Sequence, residues 1–275
     1  MPAARPRGPP TVKTITSRHN PIVKRYRDTA TGAAPDFVLL DGAHLVAEAV
    51  RAGLPVQSVA CSPRGFATAG ADALLDELRA AGAEICSVTH DVMRAMSPVQ
   101  APSGIVALAS RPVSTLDRVL GKPPQLVVVA VDVQDPGNVG AIVRAAEAGG
   151  ASGALFAGTS ADPFGWKALR GSMGSALRVP VVTADAQEVL AAARARGVRV
   201  VATVPRHGRS LFECDLRGPT ALLLGGEGPG LPGALVERAD ETISIPMQAP
   251  VESLNVAVAA ALLVYEAARQ RGAFV

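Results

Sequence analysis

The 275 residues are enough for two domains or for one large domain. With 48% hydrophobic and only 3% aromatic residues, the chain can bury a sizeable core built mainly from Ala, Val and Leu. The net charge of +3 is unevenly distributed, because residues 1–27 hold seven basic residues and no acidic one. The remainder of the chain is therefore mildly acidic.

Several classes of protein are disfavoured at this stage. The three cysteines, Cys61, Cys86 and Cys214, include no close pair, so neither a disulfide framework nor a metal site is predicted. We interpret them as buried or incidental thiols in a reducing compartment.

The N-terminus has no apolar signal-peptide core, and its prolines oppose the helix of a transit peptide. The apolar stretch at 254–265 is too short to span a bilayer. We therefore expect a cytoplasmic protein with no membrane partner.

The first half of the chain predicts a basic arm followed by a small α/β domain. Residues 1–12 are expected to be disordered, and a short basic helix should follow through about Asp28. Such an arm suits contact with phosphates, although a solvated tail is the simpler interpretation. Strands are predicted at 37–40, 56–61, 84–88 and 104–109, and helices at 43–52, 71–81 and 91–96. Residues 111–123 are rich in proline and polar residues, which indicates a linker.

The second half predicts a doubly wound parallel sheet. Its first strand, 126–131, is an unbroken apolar run of the kind that is buried on both faces. Further strands are predicted at 154–156, 198–204, 221–224 and 242–245. Helices are predicted at 139–148, 166–173, 186–196 and 253–271.

The first of three motifs follows the strand at 126–131. Asp135-Pro136-Gly137-Asn138-Val139-Gly140-Ala141-Ile142-Val143-Arg144 forms a loop and the start of a helix. In open α/β sheets, ligands bind beyond the carboxyl ends of strands, and glycines let the backbone approach closely. Asn138 and Arg144 could both face the end of this loop. If only the spacing of these residues is considered, the simpler explanation is an ordinary loop followed by a surface arginine, neither of which has a functional role.

The second motif, Leu224-Gly225-Gly226-Glu227-Gly228-Pro229-Gly230-Leu231, follows the strand at 221–224. Its four glycines and one proline predict a tight loop whose N–H groups can face a ligand. It is not a nucleotide P-loop, because no Lys-Ser or Lys-Thr follows, and it lacks the glycine spacing of a dinucleotide site. Glu227 could hydrogen-bond a hydroxyl or an amine of a ligand. A plain turn is equally compatible with this stretch.

The third motif combines Ile245-Pro246-Met247 with Ser253-Leu254-Asn255-Val256, at the start of a strongly apolar helix. Ser253 is a good N-cap, and that role explains it without any functional assumption. We expect Asn255 to be buried, because Ala, Val and Leu surround it. A buried amide needs hydrogen-bond partners, which a nearby active site could supply.

Taken in this order, the three motifs resemble those of the SpoU/TrmH family of RNA 2′-O-ribose methyltransferases. The match covers about residues 124–275. Residues 37–49 and 103–107 more loosely resemble the ribosomal-protein-like substrate-binding domain that many members carry. The sequence departs from the usual family motifs at Ala145 and at the Ala249-Pro250 turn. Neither departure replaces a polar residue of the three motifs.

The resemblance implies a fold and a cofactor. Residues 124–275 would form a SPOUT domain, a parallel sheet with a deep trefoil knot, and residues 13–110 an α/β RNA-binding domain. S-adenosylmethionine would bind in the knot. Family members are homodimers through the knot domain and the last helix, so both subunits lie near each active site. The positions implied in cofactor binding are Gly225, Ile245 and Leu254, with Thr203, Gly226 and Met247 nearby.

The same resemblance assigns the active-site positions, which here are Asn138, Arg144, Glu227, Ser253 and Asn255. The family proposal makes the arginine the base that deprotonates the ribose hydroxyl. Because a guanidinium is essentially always protonated, an equally plausible role is to clamp the adjacent phosphate and stabilise the developing alkoxide.

The implied substrate is RNA, and we favour 23S ribosomal RNA because of the additional N-terminal domain. Arg18, Asn20, Lys24 and Arg25 are the candidate RNA-binding residues. A tRNA substrate remains the alternative, since a knot domain alone can suffice for tRNA. Two other classes also remain open, namely a non-catalytic RNA-binding ribosome-assembly factor and a nucleotide-dependent oxidoreductase.

Overall fold

A computed structural model describes residues 13–121 and 125–273 of the chain. The chain divides into two compact units between Arg111 and Pro112. The predicted arm at residues 1–12 lies outside the described residues. Within the described ranges, no helix is long and apolar enough to cross a membrane.

The N-terminal unit is a five-stranded mixed sheet with helices. The sheet has the order β1-β4-β3-β5-β2. β1, β4 and β3 run parallel, whereas β5 is antiparallel to both β3 and β2. In chain order the elements are β1 (Lys13–Ile15), α1 (Pro21–Ala30), β2 (Phe37–Asp41), α2 (Ala43–Arg51), β3 (Val56–Cys61), α3 (Pro63–Phe66), α4 (Ala71–Ala80), β4 (Glu84–Val88), α5 (His90–Met96) and β5 (Ile105–Ser110).

The basic helix α1 is held by local capping and by two buried side chains. The side chain of Asn20 accepts a hydrogen bond from the N–H of Ile22, which caps the helix. Val23 and Tyr26 are fully buried, and the Tyr26 hydroxyl lies 3.0 Å from the hydroxyl of Ser58. Burial raises the pKa of Tyr26 well above its usual range. The opposite face of α1 carries exposed charged side chains.

The described part of the C-terminal unit contains seven strands. In chain order its elements are α6 (Leu116–Leu120), β6 (Leu126–Val131), α7 (Pro136–Ala148), β7 (Gly153–Ala157), α8 (Trp166–Ser172), α9 (Ser175–Arg178), β8 (Val181–Thr183), α10 (Ala186–Ala195), β9 (Arg199–Thr203), β10 (Arg209–Ser210), a 3₁₀ turn (Leu211–Glu213), β11 (Thr220–Gly225), α11 (Gly233–Val236), β12 (Glu241–Ser244) and α12 (Val256–Gln270). Every strand pairing in this sheet is parallel, in the order β10-β12-β9-β11-β6-β7-β8.

Helices cover both faces of this sheet, as the unbroken apolar run of β6 predicted. Val127, Val129 and Val131 pack in one core cluster with residues of α6 and α10. Alternate strand residues point to the opposite face, where α7 and α12 contact β6. The chain runs from β6 through β7 to β8 at one edge of the sheet and then crosses to β9, which lies on the other side of β6. The carboxyl ends of β6 and its neighbour β11 therefore meet at the position where open α/β sheets bind ligands.

Several local expectations from the sequence were wrong. The helix α7 begins at Pro136, one turn earlier than predicted, because Asp135 caps it. The last helix begins at Val256 with Asn255 as its N-cap, so Ser253 is not the cap. The segment interpreted as a linker contains α6, whose Val119 and Leu120 are buried. Short elements such as β1, β10 and α9 were not predicted. The knot remains a prediction.

Candidate active site

Three loops enclose a pocket in the C-terminal unit. They follow β9, β11 and β12, at the carboxyl edge of the parallel sheet, and the first turn of α12 completes the wall. The pocket has a volume of about 350 Å³. This volume lies within the range of small-molecule sites. The parallel sheet thus builds one concave site from segments that are far apart in the chain.

All six residues proposed from the sequence for cofactor binding line this pocket. They are Thr203, Gly225, Gly226, Ile245, Met247 and Leu254. The Thr203 hydroxyl donates a hydrogen bond to the carbonyl oxygen of Leu223 at 2.9 Å, so it is held against the neighbouring strand. The apolar Leu231, Val256 and Ala259 also line the pocket, and the sequence interpretation did not assign them a role. Their apolar character alone did not distinguish them from core residues.

Two of the four glycines of the second motif, Gly225 and Gly226, are required by close backbone packing. A Cβ on Gly226 would overlap the carbonyl oxygen of Asp132, and one on Gly225 would overlap the backbone at Gly230 and Leu231. The main-chain N–H of Gly226 donates to the carbonyl oxygen of Val131 at 2.7 Å. The loop after β11 is therefore pressed against the end of β6, which fixes the shape of the pocket wall.

A directional hydrogen-bond chain joins the three motifs. The Asn255 side-chain amide donates to the Asn138 side-chain oxygen at 3.0 Å, and the Asn138 amide donates in turn to Glu227 Oε1. Glu227 Oε2 accepts a second hydrogen bond, from the main-chain N–H of Gln134 at 3.3 Å. Glu227 and Asn255 also line the pocket. Three of the five predicted catalytic side chains are therefore brought together by contacts with one another.

The expectation that Asn255 is buried was wrong. Asn255 is exposed at the start of α12, where its Oδ1 accepts hydrogen bonds from the N–H groups of Ala257 and Val258 at 2.9 and 3.3 Å. Its side chain therefore caps the helix and contacts another candidate catalytic residue, Asn138, at the same time. Because Oδ1 is used by the helix, the amide group is directed towards Asn138.

The remaining two catalytic candidates do not join this cluster. Ser253 lines the pocket and is exposed. Arg144 is exposed on α7 and does not line the pocket. Six residues along a helix correspond to a difference in direction of about 120° between Arg144 and Asn138. The suggestion that both face the end of the same loop is therefore not supported by the geometry of α7.

The candidate RNA-binding residues lie on and beside α1. Arg18 pairs with Asp91 at 3.6 Å, and Lys24 pairs with Asp28 at 2.5 Å within the helix. The Arg25 guanidinium lies 5.3 Å from the centre of the Phe37 ring. These three basic side chains are exposed, whereas Asn20 is half-buried and caps α1. The three cations are therefore accessible to a partner, whereas the capping role of Asn20 explains that residue without RNA binding.

Two residues that are connected to this network through Gln134 were not proposed from the sequence. Asp132 follows β6 and Thr159 follows β7, and the Asp132 carboxylate accepts hydrogen bonds from Thr159. The position of Asp132 at the end of a buried strand was the only signal available. Nothing in the local sequence marks Thr159, because its partner is distant in the chain.

Comparisons with known proteins assign both halves of the chain. Residues 125–265 match the model of the SpoU rRNA Methylase family. Residues 11–107 match the model of an MRM3-like substrate binding domain. The two matched regions correspond to the two halves that the sequence motifs distinguished.

Named relatives are similar over nearly the full length of the chain. The chain is 33% identical to the 23S rRNA (uridine(2479)-2′-O)-methyltransferase of Streptomyces viridochromogenes, covering 98% of this chain and 96% of the relative. It is 30% identical to the 23S rRNA (guanosine(2553)-2′-O)-methyltransferase of Bacillus subtilis, over 92% and 98% of the two chains. The AdoMet-bound rRNA methyltransferase of Sinorhizobium meliloti is structurally similar, with a TM-score of 0.84 and 29% identity, over 94% and 98%.

Proposed function

Because the chain belongs to the SpoU rRNA methylase family, we propose that it methylates a ribose 2′-hydroxyl of ribosomal RNA with S-adenosylmethionine as methyl donor. One observation carries this proposal. Three separate loops bring the six candidate cofactor-binding residues around a single pocket, and the hydrogen-bonded Asn138–Glu227–Asn255 cluster forms part of its surroundings.

The pocket has suitable chemistry for this cofactor. Leu224, Leu231, Ile245 and Val256 offer apolar surface for an adenine ring, and the backbone of the glycine loop offers N–H and C=O groups. The carboxylate of Glu227 lies at the same pocket and complements a positive charge. When bound, S-adenosylmethionine would supply a methyl group activated on a sulfonium sulfur. Its transfer would form the bond to the ribose 2′-oxygen, break the sulfur–methyl bond to leave S-adenosylhomocysteine, and release the hydroxyl proton to water.

The polar cluster prepares the site for alignment of the ribose. Glu227 is held by two donors, Gln134 and Asn138, which fix both of its carboxylate oxygens. A carboxylate in this position accepts a hydrogen bond from an incoming hydroxyl and orients it. Orientation of this kind lowers the barrier of a transfer reaction by several kcal/mol or, in the best cases, roughly 7–11 kcal/mol. The catalytic contribution of this cluster is therefore to restrict the approach of the 2′-oxygen.

Arg144 acts as an electrostatic clamp in this proposal. It is exposed and carries a permanent positive charge, so it suits a phosphate or a developing alkoxide better than it suits proton abstraction. Because Arg144 does not line the pocket of its own chain, it serves either the RNA strand that enters this pocket or the pocket of a second subunit.

An exposed apolar stripe on α12 supports the proposed homodimer. Val258, Leu262 and Tyr265 are 48%, 44% and 47% exposed, and their spacing places them on one face of the helix. Exposed apolar stripes of this kind mark interaction surfaces. A second copy of the chain is the occupant that the family resemblance implies. In such a dimer, the Arg144 of one subunit can serve the site of the other.

Residues 13–110, in the N-terminal unit, are the proposed RNA-binding domain, and residues 124–275 are the proposed methyltransferase domain. The exposed Arg18, Lys24 and Arg25 support contact with phosphates of a folded RNA. Ribosomal RNA is favoured over tRNA because the relatives named above act on 23S rRNA and match the chain in both halves. A ribosomal substrate also implies a cytoplasmic location.

The direct test is methyl transfer from labelled S-adenosylmethionine to separate pools of unmodified rRNA and tRNA. We expect label on rRNA, at one ribose that becomes resistant to alkaline cleavage. Label on tRNA alone would support the proposed methyl transfer but would overturn rRNA as the substrate. Absence of label on both RNAs and on assembling ribosomal particles, with cofactor binding intact, would instead identify a non-catalytic RNA-binding factor.

A further inference from the structure

Asp132 and Thr159 connect two neighbouring strands through a directional set of hydrogen bonds. Asp132 Oδ1 accepts from the main-chain N–H of Thr159 at 2.8 Å and from its hydroxyl at 2.9 Å. The same hydroxyl accepts from the side-chain amide of Gln134 at 3.3 Å. A hydroxyl can donate once while it accepts, so these contacts are mutually compatible. The contacts therefore run from Gln134 through Thr159 to a carboxylate.

The position of Asp132 is tightly determined by its neighbours. Its φ of 58° is in the left-handed region, which is uncommon for a residue other than glycine. A Cβ on Gly226 would overlap its carbonyl oxygen, and a Cβ on Gly158 would overlap its carboxylate. Asp132 is thus enclosed between the loops that follow β11 and β7, the two neighbours of β6. This enclosure makes it a fixed reference point at the carboxyl edge of the sheet.

Gln134 transmits this position to the catalytic cluster. Its side chain is bound to Thr159, while its main-chain N–H donates to Glu227 Oε2 at 3.3 Å. The other oxygen of Glu227 accepts from Asn138, in the first turn of the helix that follows the same loop. Both donors to the Glu227 carboxylate therefore belong to the segment that begins at Asp132.

We propose that Asp132 and Thr159 are positioning residues that, through Gln134, orient the Glu227 carboxylate for methyl transfer. Neither side chain lines the cofactor pocket, so we expect their effect on the rate of transfer and not on cofactor affinity. The inference rests on the proposed function, because it assigns Glu227 a role in that reaction. Catalytic groups must be held within a fraction of an ångström of the productive geometry, and supporting hydrogen bonds provide this restraint.

The first test compares Thr159→Val with Thr159→Ser. Valine has nearly the shape of threonine but lacks the hydroxyl, whereas serine keeps the hydroxyl. We expect Thr159→Val to lower kcat on unmodified rRNA by about tenfold, with KM for RNA and the Kd for S-adenosylmethionine unchanged. Thr159→Ser should retain kcat within roughly twofold of the unsubstituted protein. Calorimetric titration with the cofactor alone gives a readout that does not depend on turnover.

A second pair of variants excludes a folding artefact. Asp132→Gly removes the carboxylate and tolerates a positive φ, and Asp132→Asn keeps an acceptor oxygen in a residue that also accepts this conformation. We expect the glycine variant to lose kcat as Thr159→Val does, and the asparagine variant to retain it.

A double variant tests whether Gln134 and Thr159 act through one connection. Combining Gln134→Ala with Thr159→Val should lower kcat no more than either change alone, because both changes interrupt the same connection.

Two results would overturn the inference. One is turnover at the normal rate in both Thr159→Val and Asp132→Gly. The other is a loss of kcat in these variants that is matched by loss of cofactor affinity or of thermal stability, which would identify a structural brace. If the unsubstituted protein transfers no methyl group to RNA although it binds the cofactor, the proposed function fails, and the inference fails with it.

Discussion

The two units of the molecule carry candidate functional residues of different kinds. In the C-terminal unit, Asn138, Glu227 and Asn255 are fixed by hydrogen bonds to one another and to the backbone. In the N-terminal unit, Arg18 and Lys24 are exposed cations with only surface ion pairs, which are worth about 0–1 kcal/mol. Phosphate contact tolerates mobile side chains, whereas group transfer requires atoms at fixed positions. The two proposed roles, phosphate contact and group transfer, therefore explain why one unit carries exposed cations and the other carries a hydrogen-bonded cluster.

The largest effect should come from Arg144→Ala, because it removes the charge that we propose clamps the adjacent phosphate and stabilises the developing alkoxide. We expect kcat to fall by about 100-fold or more, with the Kd for S-adenosylmethionine unchanged. Single-turnover methyl transfer and cofactor titration measure the two quantities separately. Arg118→Ala, at another exposed arginine of the same unit, is the matched control and should leave both unchanged. Normal turnover in Arg144→Ala would mean that the fixed cluster suffices for catalysis.

Gly226→Ala should weaken the preformed pocket. The added methyl group would overlap the carbonyl oxygen of Asp132, so the loop after β11 must move away from β6. We expect the Kd for S-adenosylmethionine to rise by roughly tenfold, since overpacking of this kind typically costs 1–3 kcal/mol. Gly233→Ala is the control, because its Cβ would meet no neighbouring atom within 4 Å. Equal affinities in the two variants would contradict a rigid pocket wall.

Leu262→Glu tests whether the C-terminal unit works as a dimer. A carboxylate in the middle of the exposed stripe of α12 would have to be desolvated in an interface between two copies. Sedimentation equilibrium should show a shift from dimer to monomer, with the circular-dichroism spectrum unchanged. Val113→Glu, at a residue that is 83% exposed, should leave the dimer intact. A dimer that persists in Leu262→Glu would exclude α12 as the interface.

The smallest effect is expected in the N-terminal unit. Replacing Lys24 and Arg25 together by alanine should raise KM for rRNA a few-fold and leave kcat unchanged. The dependence of log K on log salt should become shallower by roughly 0.7–0.9 for each phosphate that the variant no longer neutralises. Arg79→Ala, which removes a similar helical ion pair with Asp76, is the control. A change in kcat instead of KM would remove the distinction between the two units.

Much of the fold was predictable because local patterns encode it. The strands at 56–61, 84–88 and 126–131 have the predicted bounds, since apolar runs that end at turn residues define them. The candidate cofactor-binding residues were found through a resemblance of motifs, and all of them line one pocket. The start of α12 was less predictable, because Ser253 and Asn255 are both good caps. The structure uses Asn255 as the cap, and the same side chain also contacts Asn138. Local sequence does not predict this contact, because Asn138 is distant in the chain.

The sequence alone determined the order of strands and helices and the loops that could face a ligand, because these depend on periodicity and turn chemistry over a few residues. Only the tertiary structure decided which loops meet. Parallel pairing places β11 beside β6, so Gln134 contacts Glu227 and Asp132 is enclosed by glycines of two other loops. Such contacts depend on strand order, which no local pattern specifies. For that reason Thr159 was identified only from the folded molecule.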